Sequence, residues 1–152
     1  MFRGHFVHNI DAKGRVSLPA RFRDIVMAER GGQLVLLPAP FDPCLHLYPI
    51  EAWEEVERKI AELPAHDPHV RRFRRSYVSA AHECELDRAG RVLVPPHLRE
   101  KADLTKDVLW AGTGRIIEVW SKARWDEAVL TPPEDEPVYM ETILGILKQV
   151  GI

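Results

Sequence analysis

Asp11-Ala-Lys-Gly-Arg15-Val-Ser-Leu-Pro19 returns 76 positions later as Asp87-Arg-Ala-Gly-Arg91-Val-Leu-Val-Pro95. Phe22-Arg23 matches Leu98-Arg99 at the same offset. Farther along, Leu45-His-Leu-Tyr48 matches Ile117-Glu-Val-Trp120 and Trp53 matches Trp125, now at an offset of 72. The lost residues imply a shorter connection in the second copy. A period this long is not that of a solenoid, whose repeats run to about 20–50 residues. It is the mark of one half-domain duplicated and fused.

Each copy predicts the same local structure. Gly4–Ile10 suits a strand, and Asp11–Gly14 a turn. There the aspartate can hydrogen-bond its own backbone and the glycine can take a positive φ. Arg15–Leu18 follows as a strand with Val16 and Leu18 on one face and Arg15 and Ser17 on the other. Pro19 suits the first turn of a helix, where its missing N–H costs nothing. Phe22, Ile25 and Val26 share a face of that helix, which ends at Gly31-Gly32. Gln33–Leu37 and Cys44–Tyr48 then form a hairpin across a Pro-rich loop. A helix over 49–63 buries Trp53, Val56, Ile60 and Leu63. The second copy predicts strands at 83–86 and 91–94, a brief helix near Leu98, a hairpin over 108–120 and a Ser121-capped helix holding Trp125. A unit of this kind cannot bury its apolar faces alone, so two must close on each other about a pseudo-two-fold axis.

Two segments lie outside the repeat. Residues 67–81 predict a helix with Val70, Phe73 and Tyr77 on one face and Arg71, Arg72, Arg74 and Arg75 mostly off it. The acids of 51–62 lie nearby in sequence. Residues 131–137 are a connector rich in proline and acid, before an amphipathic helix that aligns Met140, Ile143, Leu144, Leu147 and Val150. The expected organisation is a first repeat over 1–63, a linker helix over 64–82, a second repeat over 83–130 and a C-terminal segment over 131–152.

Composition narrows the class. In 152 residues, 45% hydrophobic and 29% charged, there is room for one domain and no sign of low complexity. The longest apolar stretch, 34–41, is broken by Pro38 and Pro40 and falls far short of the roughly 18 residues of a membrane span. The first eleven residues lack the apolar region of an export signal, and two cysteines suit a reducing compartment, so a cytoplasmic location is expected. The net charge is −2, but residues 1–23 hold five basic groups against the single acid Asp11. Segregation of this kind points to an anionic partner meeting one face.

The duplicated Asp-x-x-Gly-Arg-Val pattern occurs with Met1–Gly4 at the start, 71–81 between the copies and 115–125 after the second. Together these resemble the MraZ family of bacterial transcriptional regulators over roughly residues 1–130. The resemblance implies an α+β fold: two AbrB-type swapped-hairpin half-units, related by pseudo-two-fold symmetry, forming one small β-barrel with flanking helices. It also implies a DNA-binding, nucleoid-associated homo-oligomer that assembles into rings, and repression of its own cluster of cell-division and cell-wall genes.

Arg3, Lys13, Arg15, Arg21 and Arg23 are the candidate contacts to double-stranded DNA, with Arg88 and Arg91 of the second turn as secondary candidates. Asp11, Gly14, Asp87 and Gly90 are assigned to building the turns. Arg15 has two readings, since it can reach outward to a duplex or fold back onto Asp11. Lys13 becomes Ala89 and Arg21 becomes His97 in the second copy, so the first turn is expected to meet DNA while the second mainly closes the fold. No cofactor, metal or membrane is expected: His82 with Cys84, and His66 with His69, do not make a four-ligand zinc framework. An enzyme would recruit Asp11 and Asp87 as paired carboxylates, or a histidine with Cys84. Each aspartate has an arginine four positions on that favours the ionised form rather than an acid, and no residue set resembles a nucleophile with its base and orienter. The remaining alternative is a ring-forming scaffold without DNA.

Overall fold

The repeat reappears in the order of elements. In the first copy Phe2–Asn9 (β1) and Arg15–Ser17 (β2) precede the helix Ala20–Met27 (α1), then Gln33–Pro38 (β3), Leu45–Pro49 (β4) and the helix Ile50–Ala61 (α2). Pro68–Ser76 (α3) joins the copies. The second runs His82–Glu85 (β5), Arg91–Leu93 (β6), the helix Pro96–Ala102 (α4), Asp107–Gly114 (β7), Ile117–Ser121 (β8) and Lys122–Trp125 (α5). A π-helical turn, Asp126–Leu130, and the helix Glu136–Gln149 (α6) complete the chain. This computed structural model describes residues 1–130, 132 and 134–152; the expected connector over 131–137 lies partly outside them, at Thr131 and Pro133. The chain divides into two units, Met1–Lys122 and Ala123–Ile152.

In the first unit the copies exchange strands. One sheet has the order β1-β7-β8-β4-β3-β5, so β1 pairs with the hairpin of the second copy and β5 with that of the first. A second, two-stranded sheet joins β2 to β6. The pseudo-two-fold axis can be read from the register. Val16 faces Val92, its own counterpart in the other copy, and His46 faces Glu118, its counterpart at the shorter offset. The register also places Leu36 and Trp110 in equivalent positions. The second copy is therefore shortened in two steps, one before its third strand and one in the hairpin loop.

The single small barrel expected from the family resemblance is not what forms. β1 and β5 are the two edges of the six-stranded sheet, and neither pairs with the other or ladders onto β2 or β6. Among the described residues an isolated bridge, Ile10 to Val16, links the first strand to the second. The opening is filled by side chains instead. Phe22 and Val26 of α1 and Leu98 and Ala102 of α4 pack into the core with Val16, Val92, Leu36 and Trp110. Phe22 meets the rings of Phe2 and Phe6 edge-on at 5.4 and 5.3 Å.

Alternation along β3 sends Leu34 and Leu36 into that core, and Val35 and Leu37 to the other face. There Trp53 and Ile60 of α2 and Tyr77, just past the end of α3, cover them, which explains why the run is apolar on both faces. Tyr48 and Tyr77 join their hydroxyls at 2.8 Å, and His46 Nδ1 lies 3.0 Å from the Tyr77 hydroxyl. Leu63, expected in this layer, is 40% exposed because α2 stops at Ala61 and the chain turns. The arginines of α3 do not meet the acids of α2. Arg74 donates to the carbonyls of Ile60, Ala61 and Leu63, closing the C-terminal end of α2, and Arg71 donates to Ala65 and His66.

In the second unit α6 begins at Glu136, four residues before the expected start, and Val150 lies past its end. None of its side chains is buried, and Val138, Tyr139 and Ile146 are exposed as well as Met140 and Leu144. Its apolar surface is thus broader than one stripe.

Two leucines in strands separate core from surface. Leu36→Ala, at 0% exposure, is expected to cost about 2–5 kcal/mol in urea unfolding, whereas Leu93→Ala, 54% exposed, should stay within about 0.5 kcal/mol.

Candidate nucleic-acid interface

Each turn is built by its aspartate. Asp11 Oδ1 accepts from the backbone N–H of Lys13 at 3.0 Å and of Arg15 at 2.8 Å, while Oδ2 takes the Arg15 Nε at 2.7 Å. Asp87 does the same with Ala89, Arg91 and the Arg91 Nε at 2.9, 2.9 and 2.8 Å. Gly14 and Gly90 sit at φ +89° and +76°, and each returns its N–H to the carbonyl of its aspartate at 3.0 Å. Any other residue would be strained there.

The turns also hold each other's copies. Gly14 accepts from Val94 N–H at 2.8 Å and Gly90 from Leu18 N–H at 3.0 Å, extending the β2–β6 ladder at both ends. A methyl placed on Gly14 would lie 2.8 Å from the guanidinium of Arg99; one on Gly90 would lie 2.5 Å from that of Arg23. Each glycine is therefore the floor on which the other copy's helix lays an arginine.

This sorts the candidate residues by place. Residues directly opposite in an antiparallel pair share a face. Val16 and Val92 point inward, so Arg15, Ser17, Arg91 and Leu93 line the outer face of a two-stranded ribbon. Arg15 and Arg91 are diagonal neighbours there, about 7–8 Å apart by the usual spacing. Lys13 and Arg88 are exposed at the two turn tips. Arg23 is half-buried against Gly90, and Arg21 is exposed on α1. Arg3 is exposed opposite Thr113 at the start of β1. It is not brought to the ribbon, for roughly 20 Å of strand separates it from the turn.

Arg15 folds back onto Asp11 and keeps about a third of its side chain exposed. Its Nε is held by Asp11, and its Nη groups donate no hydrogen bond to the described residues. Arg91 is the same, with equal side-chain exposures, 32% for each arginine and 36% for each aspartate. The geometry gives no division between a reading turn and a closing turn. Arg99 packs against the first turn at Gly14, its Nε buried without a hydrogen-bond acceptor among the described residues. Sequence reasoning passed it over, although its match with Arg23 was visible.

Both carboxylates lie below the ordinary aspartate value of 3.8, first because the N–H of Arg15 or Arg91 donates to the charged form, and then through the guanidinium. That is the wrong direction for a general acid.

The MraZ protein family, described as antitoxin-like, matches residues 1–76 and 78–131. A transcriptional regulator MraZ of Syntrophobacter fumaroxidans is 40% identical over 144 residues, 95% of each chain. One of Acidithiobacillus ferrooxidans is 44% identical over 130 residues, 83% of this chain and 86% of its own. One of Moorella thermoacetica is 45% identical over 127 residues, 84% and 85%.

The lowered carboxylates make the turns acid-sensitive. A group whose pKa falls on folding adds stability that is complete above its unfolded value and is lost as the pH drops through the folded one. Stability should therefore decline as the pH is lowered from about 5 through the aspartate range. The Asp11→Asn/Asp87→Asn protein should show a shallower decline, measured as urea midpoints against pH. Parallel curves for the two proteins would remove the turns from the acid response.

Proposed function

The chain belongs to the MraZ family, and on that premise we propose that it is a DNA-binding transcriptional regulator whose β2–β6 ribbon enters the major groove. The observation that carries this is the pair Arg15 and Arg91, related by the pseudo-two-fold axis on the outer face of the ribbon. The major groove, about 12 Å wide, admits a two-stranded ribbon, and guanidinium groups suit guanine O6 and N7. Asp11 and Asp87 hold each Nε and leave the Nη fork of each arginine for the bases. Lys13 and Arg88, at opposite ends of the ribbon, are placed for phosphates on the two sides of the groove. Arg21 is a further candidate for phosphate, whereas Arg23 supports the second turn from behind. The relatives' title of transcriptional regulator agrees with this reading.

One protomer offers few contacts, so the reading includes a homo-oligomer that engages repeated promoter sites together and gains by effective concentration. Occupying its own promoter would repress the cluster of cell-division and cell-wall genes, on the nucleoid.

Arg15→Ala should weaken specific DNA binding at least tenfold in a mobility-shift titration with little change in the urea midpoint, since its ion pair is a third exposed. Arg91→Ala should cost the same small amount of stability, given the matching geometry. An unchanged affinity for both variants would sink the ribbon reading.

If three phosphates are neutralised per bound protomer, log K should fall against log salt with a slope of about −2.7. A slope near zero would favour a scaffold without DNA, for which the exposed apolar surface of α6 is the supporting observation.

A further inference from the structure

Arg23 and Arg99 are counterparts in the two copies, and each ends on the turn of the other copy. The core fixes their backbones. Phe22 and Val26 near Arg23, and Leu98 and Ala102 near Arg99, are buried. Arg23 N–H donates to Pro19 O at 2.9 Å and Arg99 N–H to Pro95 O at 3.0 Å, and Leu104 N–H closes on the Arg99 carbonyl at 2.9 Å. From that anchorage the Arg99 side chain crosses to the first turn, where its Nε and Cζ each lie 2.8 Å from the place a Cβ on Gly14 would occupy. The Arg23 Nη1 and Cδ lie 2.5 and 2.7 Å from the same place on Gly90. Neither guanidinium donates a hydrogen bond or makes an ion pair among the described residues, and the Arg99 Nε is shut off from solvent as well.

Stability does not account for this pair. A charged donor buried without an acceptor costs free energy, and an apolar side chain of similar length would fill the same space without stranding one. What only a guanidinium brings is a rigid charged plane, able to lie flat on a peptide group that has no side chain. We propose that Arg99 and Arg23 are positioning residues for DNA recognition and that they act crosswise. Arg99 of the second copy sets the first turn, and so the guanidinium of Arg15; Arg23 of the first copy sets the second turn and Arg91. The path is short. Gly14 and Gly90 directly precede Arg15 and Arg91, whose backbone N–H groups are tied to Asp11 and Asp87 at 2.8 and 2.9 Å. A shift of either glycine therefore moves the arginine that follows it. Neither copy carries the support for its own outward arginine, so each half of the interface is complete only in the fused chain.

The inference rests on the DNA-binding ribbon proposed above, and mobility-shift titrations across a range of salt test the two separately. Arg99→Lys keeps the charge and loses the plane; it should weaken specific binding about fivefold, with the salt slope and the urea midpoint unchanged. Arg99→Met, which removes the stranded donor, should weaken binding as much without lowering the midpoint. Added to Arg15→Ala, Arg99→Lys should cost no further affinity, because the residue it positions is gone. Added to Arg91→Ala, its own loss should persist to within about twofold. Arg23→Lys should give the reverse pattern, coupled to Arg91 and additive with Arg15. Additivity in every combination would overturn the crosswise role, as would a loss of affinity that tracks a fall in the urea midpoint. So would a slope reduced by about 0.9 in Arg99→Met while Arg99→Lys binds like the wild type, which would make Arg99 itself a phosphate contact. Any of these results, with Arg15→Ala still weak, leaves the ribbon reading standing; wild-type affinity in both Arg15→Ala and Arg91→Ala removes the ribbon and this inference together.

Discussion

Two hydrogen bonds hold the first unit's halves to one design: Val94 N–H to Gly14 O and Leu18 N–H to Gly90 O. Each starts just beyond a strand of one copy and ends on the turn glycine of the other. They require the turn carbonyl to face outward from its own copy, which the positive φ of Gly14 and Gly90 provides. They also bring Val16 opposite Val92 in the centre of the core. Without the exchange, β1 and β5 would be left without the hairpins they now pair with. Neither half has a second layer of its own to bury them against.

The local parts of this arrangement were legible in the sequence. The Asp-x-x-Gly-Arg turns, the proline-led helices and both hairpins follow from spacing and residue type, because each depends on neighbours within a few positions. The partner of β1 was not legible. Its alternation says that one face is buried but nothing about which strand lies beside it, and β7 is about a hundred residues away. The barrel failed for a related reason. Closing the sheet would need hydrogen bonds between its edges, whereas Phe22 and Leu98 close the core with side chains from α1 and α4.

The arginines show the same limit. In sequence, Arg3, Arg21 and Arg23 stand near the first turn and so joined Arg15 as one patch. Register separates them: Arg3 belongs to the far end of β1, and Arg23 lies on the second copy's turn. Arg91, distant in sequence, is the residue that shares a face with Arg15. The run at 71–75 carries a similar lesson, since Arg74 is engaged with the carbonyl end of α2 and not with its carboxylates. A count of charges cannot tell a guanidinium that faces solvent from one that caps a helix.

A fused duplication permits something a symmetric dimer does not. In a dimer, both turn tips would carry the same side chains at the same positions. Here the backbone of the turns is nearly the same, but the tip cation is at the third position in one, Lys13, and at the second in the other, Arg88. The side chains that build the turn, Asp, Gly and Arg, are under structural constraint in both copies, because each fixes hydrogen bonds or a backbone angle. The two middle positions are exposed and bear no such load, so they are free to differ. An interface made this way keeps two-fold geometry at Arg15 and Arg91 while its two ends differ. On the DNA-binding reading proposed above, it would suit a site whose halves are alike at the centre and unlike at the flanks.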